Sequence, residues 1–459
     1  MTTKEAGTGC RSDTPTFVAT VHPRTGASWL PDVSCCLMQH LRRFGLVVVG
    51  CLAFQVLWAA RILVPMDNSQ TNHLKAYGVA FWVLENGVEV EWLLNYRGGS
   101  FLLPNIPEIQ NECVIRGVSH QVIADVQAGQ ILQEIADPEV NMERVKLEAV
   151  PKIAVYSPDG KQPWDDAVTL VLTYAEIPYD VVYDTEILTE ALPKYDWLHL
   201  HHEDFTGQYG KFYKAYRSAS WYQEEVARQS GTAEIMGFQK VSEMKRNVAM
   251  NIRNFVIGGG FLFTMCSGTD SYDIALAAQN VDICGPMFDG DPADAAAQSK
   301  LQFDEGLAFQ DYQLEMDPLV YEFSEIDGTK DHGNIKPIND FFTLFDFSAK
   351  WDIVPTMLTQ SHERVIAGFM GQTTSFRKDF IRPDVTIMGD NRNLPTAKYI
   401  HGTLGLGQWT YYGGHDPEDY RHLVNDPPTD LNLHPNSPGY RLILNNILFP
   451  AAKKKDRKT

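Results

Sequence analysis

The stretch from Asn254 to Ala278 constrains the fold more than any other part of this chain. It reads NFVIGGGFLFTMCSGTDSYDIALAA, so the apolar segment Phe261 to Met265 stands between three glycines and a Ser-Gly pair. Such a segment is typical of a strand buried on both faces. Cys266 follows at the strand end, and Ser271 to Ala278 has helical spacing. We therefore expect a strand, a sharp turn that carries a cysteine, and a helix.

This turn would give Cys266 a chemical role. It lifts the side chain to the carboxyl edge of a sheet, and the N-terminus of the next helix stabilises a thiolate. The backbone N–H groups of Ser267 and Gly268 would hold the oxyanion that forms when sulfur attacks a carbonyl group. Cys266 is therefore the candidate nucleophile, and Ser267 and Gly268 are candidate oxyanion or substrate-binding residues.

Net charge limits the partners of the protein. The 459 residues carry a formal net charge of -19 at pH 7. Because nucleic acid binding requires a basic surface that neutralises phosphates, we exclude a nucleic acid partner. We expect a small-molecule, peptide or glycan substrate. The chemistry expected at Cys266 requires no cofactor.

The first 60 residues are not expected to belong to the main fold. Residues 1–37 are rich in Thr, Ser, Pro and Gly, which indicates a disordered extension. Residues 38–60 start with Met38 and two arginines and continue as an apolar run, which indicates a signal peptide or a membrane anchor. The alternative for this run is a buried helix. We expect an exported, periplasmic protein, either free or held at the membrane by the N-terminal apolar segment.

Two α/β regions and a basic tail, residues 451–459, follow. Residues 61–150 contain a strand, a helix and a second strand, which predicts a smaller α/β domain. Strands and helices alternate in residues 151–450, which predicts a mostly parallel sheet. The acidic residues 285–340 interrupt this alternation and are interpreted as an insertion. Further strands are expected beyond it, including Thr356 to Leu358.

A histidine-rich run ends another predicted strand. Trp197 to Asp204 reads WLHLHHED, which puts His199 and His201 on one strand face and His202 and Glu203 at its carboxyl end. These side chains suit a transition metal, so the three histidines are candidate ligands. The alternative is a polar active-site rim in which His201, His202 and Glu203 contact substrate or oxyanion. The sequence alone does not assign a metal.

The order of these parts resembles the class I glutamine amidotransferases. The cysteine turn lies mid-chain, and a His-x-Pro-Glu run, His415 to Glu418, follows a Gly-rich predicted hairpin. The resemblance implies an α/β, flavodoxin-like, mostly parallel sheet. It implies Cys266 as nucleophile, His415 as general base, and Glu418 or Asp416 as the carboxylate that orients His415. The run is one residue longer than in the family, so the choice between the two carboxylates stays open.

The chain also resembles a group of exported proteins, found largely among Bacteroidetes, that are often labelled asparagine synthetase B. The runs NHLKAYG, LLNYRGGSF, HLHHEDFTGQYGKF, FTMCSGTDS and GHDPEDY carry this likeness. We expect a Cys-dependent amidohydrolase or amidotransferase-like protein that acts on an amide or acyl group. The alternatives are a non-catalytic ligand-binding or assembly protein, an ATP-dependent asparagine synthetase, and a metal-dependent hydrolase. His362 and His401 are reserve candidates for the base.

Overall fold

The computed structural model describes residues 60–159 and 162–452. These residues belong to one compact unit. The predicted extension, the leader or anchor up to residue 59, and the basic tail from residue 453 lie outside the described ranges. None of the helices formed by the described residues is both long and apolar enough to cross a lipid bilayer.

The first sheet is antiparallel throughout. Its strand order is β4-β1-β3-β2-β5, and every neighbouring pair runs antiparallel. The strands are β1 (Ala60–Val64), β2 (Val90–Leu94), β3 (Ser100–Pro104), β4 (Gln121–Ala124) and β5 (Glu143–Leu147). The predicted first β-α-β unit is therefore split, because β3 lies between β1 and β2.

The second sheet mixes both pairing directions. Its order is β11-β10-β13-β14-β15-β9-β8-β6-β7, and β12 pairs with β14. The strands are β6 (Ile153–Tyr156), β7 (Asp180–Val182), β8 (Trp197–Leu200), β9 (Phe261–Met265), β10 (Phe341–Leu344), β11 (Val365–Ala367), β12 (Phe376–Arg377), β13 (Thr386–Asp390), β14 (Thr396–Leu404) and β15 (Gly407–Tyr412). The β15–β9, β9–β8, β8–β6 and β6–β7 pairs are parallel, and the remaining pairs are antiparallel.

The prediction of a flavodoxin-like, mostly parallel sheet is wrong. The first sheet has no parallel neighbours among its described strands, and β10 to β14 extend the second sheet with antiparallel pairs. The alternation of strands and helices that predicts parallel pairing holds only over β6 to β9. Beyond it, a turn at Gly405-Leu406 joins β14 to β15, and so short a connection can join only antiparallel strands.

The helices cover the sheets and bury their apolar faces. They are α1 (His73–Glu85), α2 (Pro107–Ile115), α3 (Asp125–Ala136), α4 (Ala167–Ala175), α5 (Asp184–Leu188), α6 (Tyr213–Tyr216), α7 (Ser220–Ile235), α8 (Val241–Ile257), α9 (Ser267–Ala277), α10 (Pro286–Asp289), α11 (Ala297–Lys300), α12 (Thr329–His332), α13 (Ile353–Leu358) and α14 (Pro438–Leu448). Short 3-10 turns lie at Tyr96–Gly98, Leu192–Lys194, Tyr209–Lys211, Phe303–Glu305, Pro337–Asn339, Lys378–Phe380 and Phe449–Ala451. The predicted strand at Thr356 to Leu358 is wrong, because these residues end α13.

Two large hydrophobic cores flank the second sheet. One core joins side chains of both sheets through α1, α4 and α14, including Trp92 and Trp197. The other packs α8 and α9 on the opposite face and includes Phe309 and Tyr312, so the acidic region 285–340 contributes to the core.

The parallel part of the second sheet determines where polar side chains meet. Because β6, β8, β9 and β15 run in the same direction, their carboxyl ends lie at one edge. Three of these strands lead directly to His201, Cys266 and His415, and the loop after β6 leads to Asp165 and Asp166.

Candidate functional site

The turn after β9 has the expected strand-turn-helix form, although α9 begins at Ser267 rather than Ser271. Cys266 has a φ of 49° and a ψ of -140°, a strained conformation for a residue with a side chain. The Gly268 backbone N–H donates to the His201 carbonyl oxygen at 2.6 Å. A Cβ at Gly268 would overlap that oxygen. The turn is therefore tied to the end of β8.

Backbone groups cover the Cys266 sulfur. The Gln372 N–H donates to Sγ at 3.3 Å, and a Cβ at Gly371 would lie 3.0 Å from Sγ. Cys266 is 2% exposed, and burial raises the pKa of its thiol, although backbone N–H groups of Thr373, Gln372 and Ser267 partly oppose this. Cys266 forms no disulfide with Cys113 or Cys284, the other cysteines of the described ranges. The resting thiol is therefore neutral.

The His415 ring has partners other than Cys266. Its Nε2 lies 3.0 Å from the backbone oxygen of Asp165, which can only accept, so Nε2 carries the hydrogen. The His415 ring lies 4.3 Å from the His201 ring and stacks on His422 at 4.1 Å. Among the described residues, no hydrogen bond joins the Cys266 thiol to His415.

The two carboxylates expected to orient His415 have other partners. Glu418 Oε2 lies 3.0 Å from His434 Nδ1. Asp416 Oδ2 accepts from the Thr429 hydroxyl at 2.7 Å, and Asp416 Oδ1 accepts from the Glu418 N–H at 2.8 Å. Neither carboxylate is bonded to the His415 ring in the described part of the chain.

Five histidines and two aspartates instead form one group, which we call the histidine cluster. Its members lie on the loops that follow β6, β8 and β15 and at the end of β8 itself; they are Asp165, Asp166, His199, His201, His202, His415 and His422. Sequence reasoning missed Asp165, Asp166 and His422. The adjacent acids after β6 and a second histidine seven residues after His415 were the signals available.

Asp166 holds two of the histidines. Its Oδ2 lies 3.2 Å from His199 Nε2 and 3.2 Å from His201 Nδ1, although only the first contact has hydrogen-bond geometry. His199 Nδ1 also lies 3.1 Å from the Phe263 carbonyl oxygen. Burial raises the pKa of Asp166, but His199 and His201 outweigh this effect and hold the pKa well below its usual range. Asp166 is therefore ionised beside the cluster.

The ring nitrogens of His201 and His202 are buried and form no hydrogen bonds. None of the four has hydrogen-bond geometry with a group of the described residues, although Asp166 and Glu203 lie nearby. Burial and neighbouring histidines lower the pKa of His202 and of His415 well below the usual range. These two rings are therefore neutral at pH 7, with a lone pair on one nitrogen each.

Three of the imidazole rings bring a nitrogen to one place. One nitrogen from each of His201, His202 and His415 lies within 4.8 Å of the others. Because Nε2 of His415 donates to Asp165 and the Asp166 carboxylate favours a proton on Nδ1 of His201, the other nitrogen of each ring is free to bind. Three imidazoles that leave one coordination position open are a ligand set of catalytic zinc sites.

Glu203 lies beside this set. Its Oε1 is 3.6 Å from His202 Nε2, and its Oε2 accepts from the Tyr183 hydroxyl at 3.3 Å. Burial raises the pKa of Glu203 to about 7, although Lys245 opposes the shift. A carboxyl group with this pKa exchanges protons readily at neutral pH.

A small pocket reaches the cluster from the surface. Its volume is about 30 Å³, and Trp164, His202, Glu203, Phe212 and Trp221 contribute to its lining. The Trp164 ring lies 5.1 Å from the His202 ring and 5.2 Å from the Trp221 ring. Aromatic rings therefore border the route to His202.

The reserve histidines have structural partners. His401 Nδ1 lies 2.9 Å from the Trp409 carbonyl oxygen within the β14–β15 pair. His362 stacks on His73 at 3.9 Å. Among the described residues, neither ring contacts the histidine cluster.

Comparisons with known proteins give only weak likenesses. No protein-family model and no curated protein matches the chain. The cytoplasmic protein STM3548 from Salmonella typhimurium is 11% identical, with a TM-score of 0.31 over 66% of this chain and 100% of that chain. The cytoplasmic protein STM1381 from Salmonella typhimurium LT2 is 10% identical, with a TM-score of 0.34 over the same shares. A beta-galactosidase from Bacillus circulans sp. alkalophilus is 12% identical, with a TM-score of 0.25 over 72% of this chain and 35% of that chain. None of these likenesses assigns a fold or an activity to this chain.

Proposed function

We propose that this protein is a metal-dependent hydrolase whose reactive centre is the histidine cluster. The observation that carries the proposal is the convergence of His201, His202 and His415, two of which, His201 and His202, have buried ring nitrogens without hydrogen bonds among the described residues. A buried polar atom without a partner costs about 1–3 kcal/mol. Several such atoms at one point are explained when a metal ion binds them.

Zinc fits this ligand set best. Neutral imidazole is a preferred zinc ligand. Asp166 orients the His201 ring through Nδ1, and the Asp165 carbonyl group orients the His415 ring through Nε2. Asp165 and His422 lie next to His415 and extend the site. The sequence led us to expect a reaction that needs no cofactor, whereas the reaction proposed here needs zinc.

The reaction that we propose is addition of water to an amide or related acyl group. His201, His202 and His415 would hold the zinc ion, which would supply the Lewis acidity that makes water a nucleophile at neutral pH. Glu203 would accept a proton from the attacking water and return it to the leaving amine or alcohol. Water thus supplies the hydroxyl group of the product acid and the hydrogen of the leaving group.

The first experiment measures metal and activity together. The protein is stripped with a chelator, reloaded with zinc, cobalt or manganese, and assayed with p-nitrophenyl acetate and p-nitroacetanilide. We expect one tightly bound equivalent of metal and hydrolysis that chelation removes. His415→Ala should lose both, whereas the control His120→Ala, outside the cluster, should keep both. Hydrolysis without metal, or metal binding that survives His415→Ala, would refute the proposal.

A second candidate function uses Cys266 as a nucleophile toward the same amide or acyl bond. The strained turn and the backbone N–H groups around Sγ favour it, because they suit an anionic sulfur or oxyanion. Cys266→Ala separates the two candidates. Full activity in this variant would exclude the thiol, and loss of activity with retained metal binding would favour it.

Other expectations from the sequence stay predictions. Export to the periplasm and attachment through the N-terminal apolar segment concern residues outside the described ranges. The likeness to proteins labelled asparagine synthetase B is untested. If the protein binds metal but hydrolyses neither compound, the non-catalytic ligand-binding or assembly role is favoured.

A further inference from the structure

An open cleft lies away from the histidine cluster. It has a volume of about 630 Å³, within the range of about 300–1,000 Å³ that is usual for ligand sites. One wall comes from the first sheet, near Asp67 and Asn95, and the other from the segment between Leu344 and Arg364. The cleft therefore has the size of a small-molecule site.

A network of amide side chains forms the floor of the cleft. The Gln360 side chain accepts from the Asn95 N–H at 2.9 Å and donates to Asn95 Oδ1 at 2.8 Å. The Asn95 amide in turn donates to the Asn141 carbonyl oxygen at 2.9 Å. This network holds the two walls in a fixed relation, so a ligand would meet a preformed surface.

The backbone that borders the floor is strained. Asn95, Arg97, Gly98 and Gly99 have φ values of 61°, 47°, 77° and 91°. A Cβ at Gly98 would overlap the Met66 carbonyl group. Left-handed residues at non-glycine positions are costly and gather at ligand-binding sites.

Two of the carboxylates that line the cleft, Asp67 and Asp346, are already paired. Asp67 pairs with Arg97 at 2.6 Å, and Asp346 pairs with Arg364 at 3.1 Å. A charged ligand bound by Asp67, Asp346 or Arg364 would have to break such a pair. Paired groups still offer unused donors and acceptors, so they suit a neutral polar ligand.

Three of the remaining lining side chains keep polar groups that are free to bind a ligand. Asn68 and Glu363 are exposed, and their side chains have no hydrogen-bond partner in the described ranges. The Ser361 hydroxyl accepts from the Glu363 N–H and still has a hydrogen to donate. Leu344 is the one apolar side chain in the described lining. The lining therefore offers little apolar surface for an apolar ligand.

We propose that this cleft binds a saccharide. The chemistry that recognises it is the set of amide, carboxylate, guanidinium and hydroxyl groups around Asn68, Ser361 and Glu363. Sugar hydroxyls donate to carboxylates and accept from amide and guanidinium N–H groups, and planar polar side chains bridge adjacent hydroxyls. The proposal does not depend on metal or hydrolysis.

The test measures binding of the full chain to defined sugars. Glucose, galactose, mannose, xylose, N-acetylglucosamine, cellobiose, maltose and lactose are titrated by calorimetry and by saturation-transfer NMR. At least one sugar should bind saturably with a Kd of about 1 mM or tighter. The variant Asn68→Ala/Glu363→Ala should weaken that binding at least tenfold.

Controls make each outcome decisive. The matched variant Asn111→Ala/Glu108→Ala removes an exposed amide and an exposed acid from α2 and should leave binding unchanged. Ser361→Trp should fill the cleft and abolish binding, with circular dichroism verifying that each variant is folded. The proposal is overturned if no sugar in the panel binds, if free amino acids bind in their place, or if binding is equal in all variants.

Discussion

Asp166→Asn tests whether the histidine cluster is built to hold metal. Asp166 Oδ1 caps α4 by accepting from the Val168 and Thr169 N–H groups at 2.7 and 3.0 Å. Asparagine caps helices as well as aspartate does, so this function is retained. The change falls on Oδ2, where an NH₂ group would replace an ionised oxygen that faces His199 and His201.

The two histidines respond differently to this change. The new NH₂ group can donate to His199 Nε2, while His199 Nδ1 donates to the Phe263 carbonyl oxygen. In the variant, His199 can therefore have a partner on both nitrogens as a neutral ring. His201 loses the carboxylate that favours a proton on Nδ1 and a free Nε2. Its orientation toward a metal is therefore no longer fixed.

The expected magnitude follows from this difference. Loss of a group that orients a metal-binding histidine lowers affinity about 10–100-fold, which is about 1.4–2.8 kcal/mol. The free energy of unfolding of the metal-free protein should change by less than that, because the α4 cap and His199 keep their partners. Zinc affinity is measured by competition with a chromophoric chelator, and stability by urea unfolding.

A control variant shows whether the effect depends on the position of the aspartate. Asp125→Asn changes an exposed aspartate in the first turn of α3 and should leave zinc affinity unaltered. If Asp166→Asn binds zinc as tightly as the unsubstituted protein does, Asp166 does not orient His201. If instead it unfolds in parallel with any loss of zinc, its role is structural.

Three further substitutions test stability. Burial lowers the pKa of His401 to about 4; because the unfolded ring has a pKa near 6.5, the unfolded state binds the proton more readily between these values. The free energy of unfolding should therefore fall as pH decreases from about 6.5 to about 4, and His401 should account for about 3 kcal/mol of that fall. In urea unfolding, His401→Gln should show a pH dependence that is smaller by this amount. Equal pH profiles for the two proteins would contradict this prediction. Gly268→Ala should destabilise the protein and weaken zinc binding, because its Cβ would overlap the His201 carbonyl oxygen. Gly129→Ala, at an exposed position of α3 with nothing near its Cβ, should instead raise the free energy of unfolding by about 0.5–1 kcal/mol. The packing argument would be refuted if Gly268→Ala lowered the free energy of unfolding less than a surface substitution does.

Local sequence patterns determined the elements around the site. The predicted strand Phe261 to Met265 has the bounds that the structure shows. The hairpin that precedes His415 was also evident. These elements are defined by apolar periodicity and by glycines at their ends, which act over a few neighbouring residues.

Sheet pairing and the partners of the polar side chains were decided by tertiary structure. The short apolar run Thr356 to Leu358 suits a strand or a helix equally, and its packing in α13 against α14 settles the choice. Sequence placed His415 near Cys266 but could not show that its ring faces His201 and His422. Asp165 and Asp166 join those rings because β6 and β8 are parallel neighbours. Ring orientation depends on contacts between residues that are distant in sequence, so it appears only when the chain has folded.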